Sequence, residues 1–279
     1  MKKACVIGHP IGHSRSPLIH GYWLKKHKVQ GSYDRLDIAP RELQRFLATL
    51  AQSEYCGCNV TSPHKETAAM QVDILSPASK LLRSVNTIYV RDGNTHGTST
   101  DGEGFYQNLL HHIPGFTALG SKAVILGAGG SASAIIGELR AKGLGRISVC
   151  NRTHVKAQEV RARFGNPVVA IQQPDLLAEL RDCDLLINTT SQGMNGLHDI
   201  VLPLDELPSR CIVADIVYIP LKTSLVLRAE TRGLRVVPGL GMLLHQAVPG
   251  FELWFGVRPE VTQELLDLVA ADITSAMKS

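Results

Sequence analysis

Two groups of residues in this chain can do chemistry: a glycine loop able to hold a phosphate, and a lysine and an aspartate able to share a proton. The loop is Gly127-Ala128-Gly129-Gly130-Ser131-Ala132, which follows an apolar run at 123–126 and fits G-x-G-x-x-A. Glycines permit the tight turn and let the backbone approach a pyrophosphate, while the helix that follows presents free N–H groups and the positive end of its dipole. A chain built for NAD usually carries Asp or Glu roughly 20 residues further on, where it holds the ribose 2′-hydroxyl. Here that place reads Asn151-Arg152-Thr153, with Lys156 one turn later. No acid stands there to repel a 2′-phosphate, and Arg152 and Lys156 can pair with one, Arg through its planar fork. NADP(H) is therefore the expected cofactor. The plainer alternative is a basic helix start facing solvent.

Lys65 closes the stretch Asn59-Val60-Thr61-Ser62-Pro63-His64-Lys65, just after an apolar strand. Polar groups at the carboxyl end of a strand in an α/β sheet lie where such sheets bind ligands. Asp101 sits in Thr98-Ser99-Thr100-Asp101-Gly102-Glu103-Gly104, ahead of a helix. It reads either as a helix cap or, with Lys65, as half of a proton-transfer pair. Ser14 and Ser16 flank Arg15 ahead of Pro17; Ser16 is expected to be an N-cap, and Ser14 adds a second hydroxyl to the loop. Asn59 opens an N-x-T sequon, which means little without a secretory signal. The eleven histidines form no H-E-x-x-H, and G-x-S-x-G is absent, so neither a metal site nor a serine nucleophile is expected.

The elements that must position these residues follow from the spacing of apolar runs. Strands are expected at 4–8, 32–38, 56–60 and 85–90, with helices at 17–28 and 40–51, which suggests βαβ units and a mainly parallel sheet. From 122 the alternation restarts: strands at 123–126, 146–150, 184–187, 212–215 and 235–237, with helices at 131–142 and 155–164. That second half reads as a doubly wound sheet of the Rossmann type. A helix at 105–112 bridges the halves, and 242–254 and 259–277 are helical. A chain of 279 residues suits two domains. The net charge of +4 is too small and too scattered for a nucleic-acid partner, and a small anionic ligand suffices to explain it. The apolar run at 4–7 is too short for a signal peptide, and no run approaches the ~18 residues of a membrane span, so a cytoplasmic protein is expected. The six cysteines, without any C-x-x-C, read as buried reduced thiols.

Together these stretches resemble the shikimate dehydrogenase family along nearly the whole chain. The matching pieces are H-S-R-S-P at 13–17, N-V-T-S-P-H-K at 59–65, V-N-T at 85–87 and T-D-G-E-G at 100–104. G-A-G-G at 127–130, N-R-T at 151–153, D-I-V-Y at 215–218 and G-L-G-M-L at 239–243 with Gln246 follow in order. The resemblance implies an N-terminal substrate-binding catalytic domain at 1–101 and an NADP-binding Rossmann domain at 102–238. Helices at 239–279 would return to pack on the first. It implies NADPH-dependent reversible reduction of 3-dehydroshikimate to shikimate, in the biosynthesis of chorismate and aromatic amino acids. By the same resemblance Lys65 and Asp101 are the catalytic pair, and Ser14 and Ser16, helped by Tyr218, hold the substrate carboxylate. Asn59, Thr61, Asn86 and Gln246 contact the ring hydroxyls. Gly127, Ala128, Gly129, Gly130 and Ser131 cradle pyrophosphate, and Asn151, Arg152, Thr153 and Lys156 take the adenosine phosphate end. Gly239 completes the cofactor set. Ser16 and Thr61 match the pattern of members that prefer shikimate to quinate. Two positions depart from the family: Ser99 stands where N-T-D-G has Asn, which would weaken a loop hydrogen bond that helps aim Asp101, and Gly21 stands where Asn or Gln is common. The alternatives are a quinate/shikimate enzyme using NAD, an aminoshikimate relative, a folate-linked dehydrogenase, or a non-catalytic sensor; a monomer or homodimer is implied.

Overall fold

The computed structural model describes residues 1–277 and resolves them into two compact units. The first comprises Met1–Asp101 with Gln246–Val269; the second comprises Gly102–His245 and the end of the last helix from Ala270.

The first unit runs β1 (Lys2–Gly8), α1 (Ser16–Lys26), β2 (Gly31–Asp37), α2 (Leu43–Leu50), β3 (Tyr55–Val60), α3 (Lys65–Ala69), β4 (Ile74–Leu75), α4 (Pro77–Leu82), β5 (Thr87–Arg91) and β6 (Asn94–Thr98). Its sheet has the order β2-β1-β3-β5-β6-β4. β1 pairs parallel with β2 and β3, but β5 runs antiparallel to both β3 and β6. The sheet is mainly parallel, as expected, with β5 the one reversed strand. The reason is local: Asp92 and Gly93, both at positive φ, turn β5 straight back into β6 as a hairpin. Residues 94–98 read N-T-H-G-T, too polar to register as a strand by hydropathy.

One face of this sheet is covered by α2 and α3, burying Leu43, Leu47, Leu50 and Ala68 against Cys5, Ile7, Cys58 and Val60. α1 packs along β1 and β2, and it meets a helix from late in the chain, Ala247–Phe255, which lies on β1, β3 and β5. At Gly57 a Cβ would come 2.2 Å from the Ile88 carbonyl oxygen and 2.3 Å from Trp254 Nε1. Only glycine lets the indole reach the backbone there, where Trp254 Nε1 donates to Ile88 O at 2.9 Å.

The second unit contains α5 (Asp101–His112), whose first residue belongs to the first unit, then β7 (Lys122–Leu126), α6 (Gly130–Ala141), β8 (Arg146–Cys150), α7 (His154–Phe164), β9 (Val168–Ile171), α8 (Leu176–Leu180), β10 (Leu185–Asn188), β11 (Ile212–Asp215), α9 (Ser224–Thr231), β12 (Arg235–Val237) and α10 (Leu240–His245). The sheet order is β12-β11-β10-β7-β8-β9, every pair parallel, which is the doubly wound arrangement expected. Val124, Leu186 and Val213 face α8 and α9 residues such as Leu180 and Leu225 in one core cluster.

The chain ends with α11, the helix Ala247–Phe255 already met on the first sheet, and α12 (Gln263–Ala276). The change of unit comes at Gln246. α10 stays with the second unit: Asn108 Nδ2 of α5 donates to Pro238 O at 2.9 Å, and a Cβ at Gly241 would strike Asn108. Among the described residues no helix is long and apolar enough to cross a membrane. All six cysteines are free thiols, five of them buried.

Candidate functional site

In the first unit β3, β5 and the start of α5 converge on one hydrogen-bonded network. Lys65, the first residue of α3, donates from Nζ to Asp101 Oδ2 at 2.6 Å. Asp101 is the first residue of α5, and its carboxylate does not fold back as a cap: Oδ1 accepts from Asn86 Nδ2 at 2.7 Å. Both carboxylate oxygens are thus held, one by a cation and one by a buried amide. The pair keeps access to solvent, with side chains 29% and 13% exposed.

Asn86, 3% exposed, is the centre of the network. Its Nδ2 also donates to Thr100 Oγ1 at 2.9 Å and Gln246 Oε1 at 3.2 Å. Its Oδ1 accepts from Thr100 N at 2.9 Å and Thr87 Oγ1 at 3.0 Å. Thr100 Oγ1 in turn donates to Gln246 O at 2.7 Å, which ties the chain entering α11 to the loop before α5. The groups that hold Asp101 are Lys65 and Asn86 rather than residue 99, so Ser99 leaves its aim intact. The second departure, Gly21, is on the exposed side of α1, where an added Cβ meets nothing within 4 Å.

Asn59 at the end of β3 is 6% exposed, which removes it as a glycan acceptor. Its Nδ2 donates to Asn86 O at 3.1 Å and Thr87 Oγ1 at 3.2 Å, and its Oδ1 accepts from Tyr33 Oη at 2.6 Å. Thr61 is half-buried just beyond β3, against Gly8 at the end of β1. Ser14 and Ser16 lie in the turn after β1. The expected cap role of Ser16 is corrected: Arg15 is the N-cap and Ser16 the first helical residue, its N–H donating to Ser14 Oγ at 3.3 Å. With Pro17 at the second helical position, the Ser16 hydroxyl is not spent on capping. His64, by contrast, is buried and bonded to Ile38 O at 2.7 Å, a structural contact.

In the second unit the expected cofactor residues, and Tyr218 expected at the substrate carboxylate, lie where parallel strands end. Gly127 follows β7, Asn151 follows β8, Tyr218 lies beyond β11, and Gly239 beyond β12. At Gly127, φ is +106°, and a Cβ would come 2.6 Å from Thr189 Oγ1, so the tight turn needs glycine. Its N–H donates to Cys150 O, fastening the loop to β8. At Gly129 and Gly130 an added Cβ meets nothing within 4 Å, so no packing demands glycine there. What these glycines leave open is space in front of the N-terminus of α6, whose N-cap Gly129 offers no side-chain oxygen to the free N–H groups. Arg152, Thr153 and Lys156 are exposed at the start of α7, and neither Arg152 nor Lys156 is engaged by a carboxylate among the described residues. Asn151 Nδ2 donates to Thr153 O at 2.9 Å and shapes that turn. These residues fit a dinucleotide with a 2′-phosphate. No group of His, Cys, Asp or Glu that could hold a metal is present among the described residues.

Sequence reasoning missed three supports. Tyr33 and Thr100 brace the first network; Thr100 stood inside a recognised motif, whereas nothing marks Tyr33 except an aromatic residue in a strand. Asp215 braces the second. Its Oδ1 accepts from Asn188 Nδ2 at 2.8 Å and Val217 N at 3.0 Å, and its Oδ2 from Thr223 Oγ1 at 2.6 Å. Burial pushes this carboxyl above its usual range. The three bonds fix the loop carrying Tyr218, and Gly239 lies under that loop, where a Cβ would come 2.5 Å from Ile216 O.

Known proteins match over the whole arrangement. Residues 6–88 match the family described as shikimate dehydrogenase substrate binding domain, 111–201 the shikimate / quinate 5-dehydrogenase family, and 239–263 the shikimate 5′-dehydrogenase C-terminal domain. A shikimate dehydrogenase (NADP(+)) of Mesorhizobium japonicum is 48% identical over 98% of this chain and 97% of its own length. One of Azorhizobium caulinodans is 45% identical over 99% and 98%. The crystal structure of shikimate 5-dehydrogenase from Thermus thermophilus, in complex with NADP(H) and shikimate, superposes with a TM-score of 0.86 at 33% identity, covering 98% of this chain and 100% of that one. Quinate dehydrogenase from Corynebacterium glutamicum in complex with NAD reaches 0.87 at 25% identity, covering 97% and 100%. With matches to its substrate-binding, central and C-terminal segments, and relatives alike from end to end, the chain belongs to the shikimate dehydrogenase family.

Proposed function

We propose that the chain catalyses the NADPH-dependent, reversible reduction of 3-dehydroshikimate to shikimate, a step toward chorismate and the aromatic amino acids. The observation that carries this reading is the Lys65–Asp101 pair, bonded at 2.6 Å and joined through Asn86 to Gln246. When bound, the nicotinamide supplies or accepts the hydride. As the ring carbonyl is reduced, negative charge develops on its oxygen. The Lys65 ammonium stabilises that charge and delivers a proton to the same oxygen. Asp101 orients Lys65 and accepts from the hydroxyl at the reacting carbon. Asn86, by holding the second carboxylate oxygen, keeps Asp101 from turning away.

Ser14 and Ser16, with Tyr218, take the substrate carboxylate. Asn59, Thr61, Asn86 and Gln246 take the ring hydroxyls. Gly127, Ala128, Gly129, Gly130 and Ser131 receive the pyrophosphate at the start of α6. Asn151, Arg152, Thr153 and Lys156 take the adenosine end with its 2′-phosphate, and Gly239 borders the cofactor. The division into a catalytic domain at 1–101 completed by C-terminal helices, and a cofactor domain between, belongs to this reading, as do a cytoplasmic location and a monomeric or homodimeric state. A steady-state comparison of shikimate and quinate, each with NADP⁺ and NAD⁺, tests it. Shikimate with NADP⁺ is expected to give the highest kcat/KM; a preference for quinate with NAD⁺ overturns it.

A further inference from the structure

Tyr33 enters no part of the mechanism above, yet it is almost fully buried, and its hydroxyl makes one of the shortest side-chain contacts in the first unit, 2.6 Å to Asn59 Oδ1. The direction of that bond is fixed by chemistry. Asn86 O, 3.1 Å from the other end of the Asn59 amide, can only accept. The NH₂ group must therefore face Asn86 O and Thr87 Oγ1, which leaves the carbonyl end toward Tyr33, and the phenol must donate. Burial raises the Tyr33 hydroxyl well above its ordinary pKa, which keeps that proton in place.

The ring is clamped as well. His20 stacks on it at 4.0 Å between centroids with 14° between planes, and Phe251 stacks on the far side of His20 at 5.9 Å and 9°. His20 is wholly buried; its ring lies near the Asn59 amide, but neither ring nitrogen reaches hydrogen-bond geometry with any partner among the described residues. It acts here as a flat neutral plate that leaves the Tyr33 oxygen one position.

With both amide hydrogens spent inside the protein and one lone pair of Oδ1 taken by Tyr33, Asn59 has a single valence left. It is the second lone pair of Oδ1, an acceptor for a hydroxyl that donates. We infer that Tyr33 is a positioning residue: its hydroxyl sets the Asn59 carboxamide so that the site presents a hydrogen-bond acceptor to one ring hydroxyl of the substrate. This rests on the reading of Asn59 as a substrate contact.

Kinetics of Tyr33→Phe, Asn59→Ala and the double variant separate the two ideas, with a deoxy analogue of shikimate lacking one ring hydroxyl as a further probe. Tyr33→Phe is expected to raise the KM for shikimate about 10-fold, the scale of one buried hydrogen bond, with kcat within about 3-fold and the KM for NADP⁺ unchanged. In the Asn59→Ala background the same change is expected to add nothing. For the analogue missing the hydroxyl that Asn59 accepts from, Tyr33→Phe is expected to leave KM unmoved. KM does not depend on the fraction of active enzyme, so partial misfolding does not disturb these comparisons. Independent, multiplicative effects of the two substitutions, or a Tyr33→Phe enzyme with wild-type KM while Asn59→Ala raises it, overturn the positioning role alone. An Asn59→Ala enzyme with unchanged KM for shikimate overturns the assignment of Asn59 beneath it.

Discussion

The two candidate sites are built on opposite plans. In the first unit Lys65, Asp101, Asn86, Asn59, Thr100 and Gln246 bond to one another, and nearly every polar atom is already committed before a ligand arrives. In the second unit the glycine loop offers backbone N–H groups, and Arg152 and Lys156 stand exposed, with no carboxylate on either among the described residues. The first plan fixes directions and so selects shape; the second supplies charge and room, and tolerates more. Preorganised side chains serve a reacting atom, where small misplacement is costly, while a phosphate is held well enough by a dipole and a cation.

The harshest way to break this contrast is to remove the cation from the rigid site. Lys65→Met is expected to lower kcat by about 10²–10⁴-fold with little change in substrate KM. Asp101→Asn should behave alike, and the double variant should fall far short of additive. A Lys65→Met enzyme keeping more than about a third of wild-type kcat, with deuterated cofactor showing hydride transfer to be rate-limiting, removes Lys65 from the mechanism. Next comes selectivity: a site with its directions fixed should prefer shikimate over quinate by about 10²-fold in kcat/KM, since quinate adds a hydroxyl on a tetrahedral carbon. Comparable values would mean that the network is looser than its bonds suggest.

A third test uses pH. Burial lowers the His20 pKa from its ordinary 6.5 to about 3. The unfolded chain therefore binds a proton that the folded one refuses. Stability from this residue is complete above pH 6.5 and is lost as pH falls toward 3. Between pH 7 and pH 5 the loss is about 2 kcal/mol, from linkage at about 1.4 kcal/mol per unit. Unfolding of wild type and His20→Phe across that range should diverge by this amount; parallel curves would show that His20 titrates alike in the folded and unfolded chain. The smallest effect is expected at the open site. Arg152→Ala should raise the KM for NADPH roughly 10-fold and barely change use of NADH. Equal losses with both cofactors would sink the 2′-phosphate assignment.

The second unit was the more legible half in sequence. Its wholly apolar strands, such as Ala123-Val124-Ile125-Leu126, are buried on both faces and stand out, and the glycine loop is read from residue types alone. The first unit was harder because its strands include the polar hairpin partner 94–98 and the two-residue β4. Motif residues such as Lys65 and Asp101 were found, but their contact spans 36 positions and could come only from the fold. Tyr33 was missed for the same reason: its partner lies 26 residues away, and no local pattern distinguishes it from any strand tyrosine. Ser16 was given the wrong local role because Ser-Pro reads as cap and first turn, while the helix starts one residue earlier.

The placement of α11 has a consequence for how the protein is made. Trp254 and Phe251 complete the core that β1, β3 and β5 begin, yet they leave the ribosome only after the last strand of the second sheet. During that interval the second sheet can close on itself, whereas one face of the first stays wet and apolar, with the hollow over Gly57 unfilled. The earliest-synthesised strands are therefore the last to be sealed, and in the nascent chain they are the ones whose apolar face waits longest for its cover.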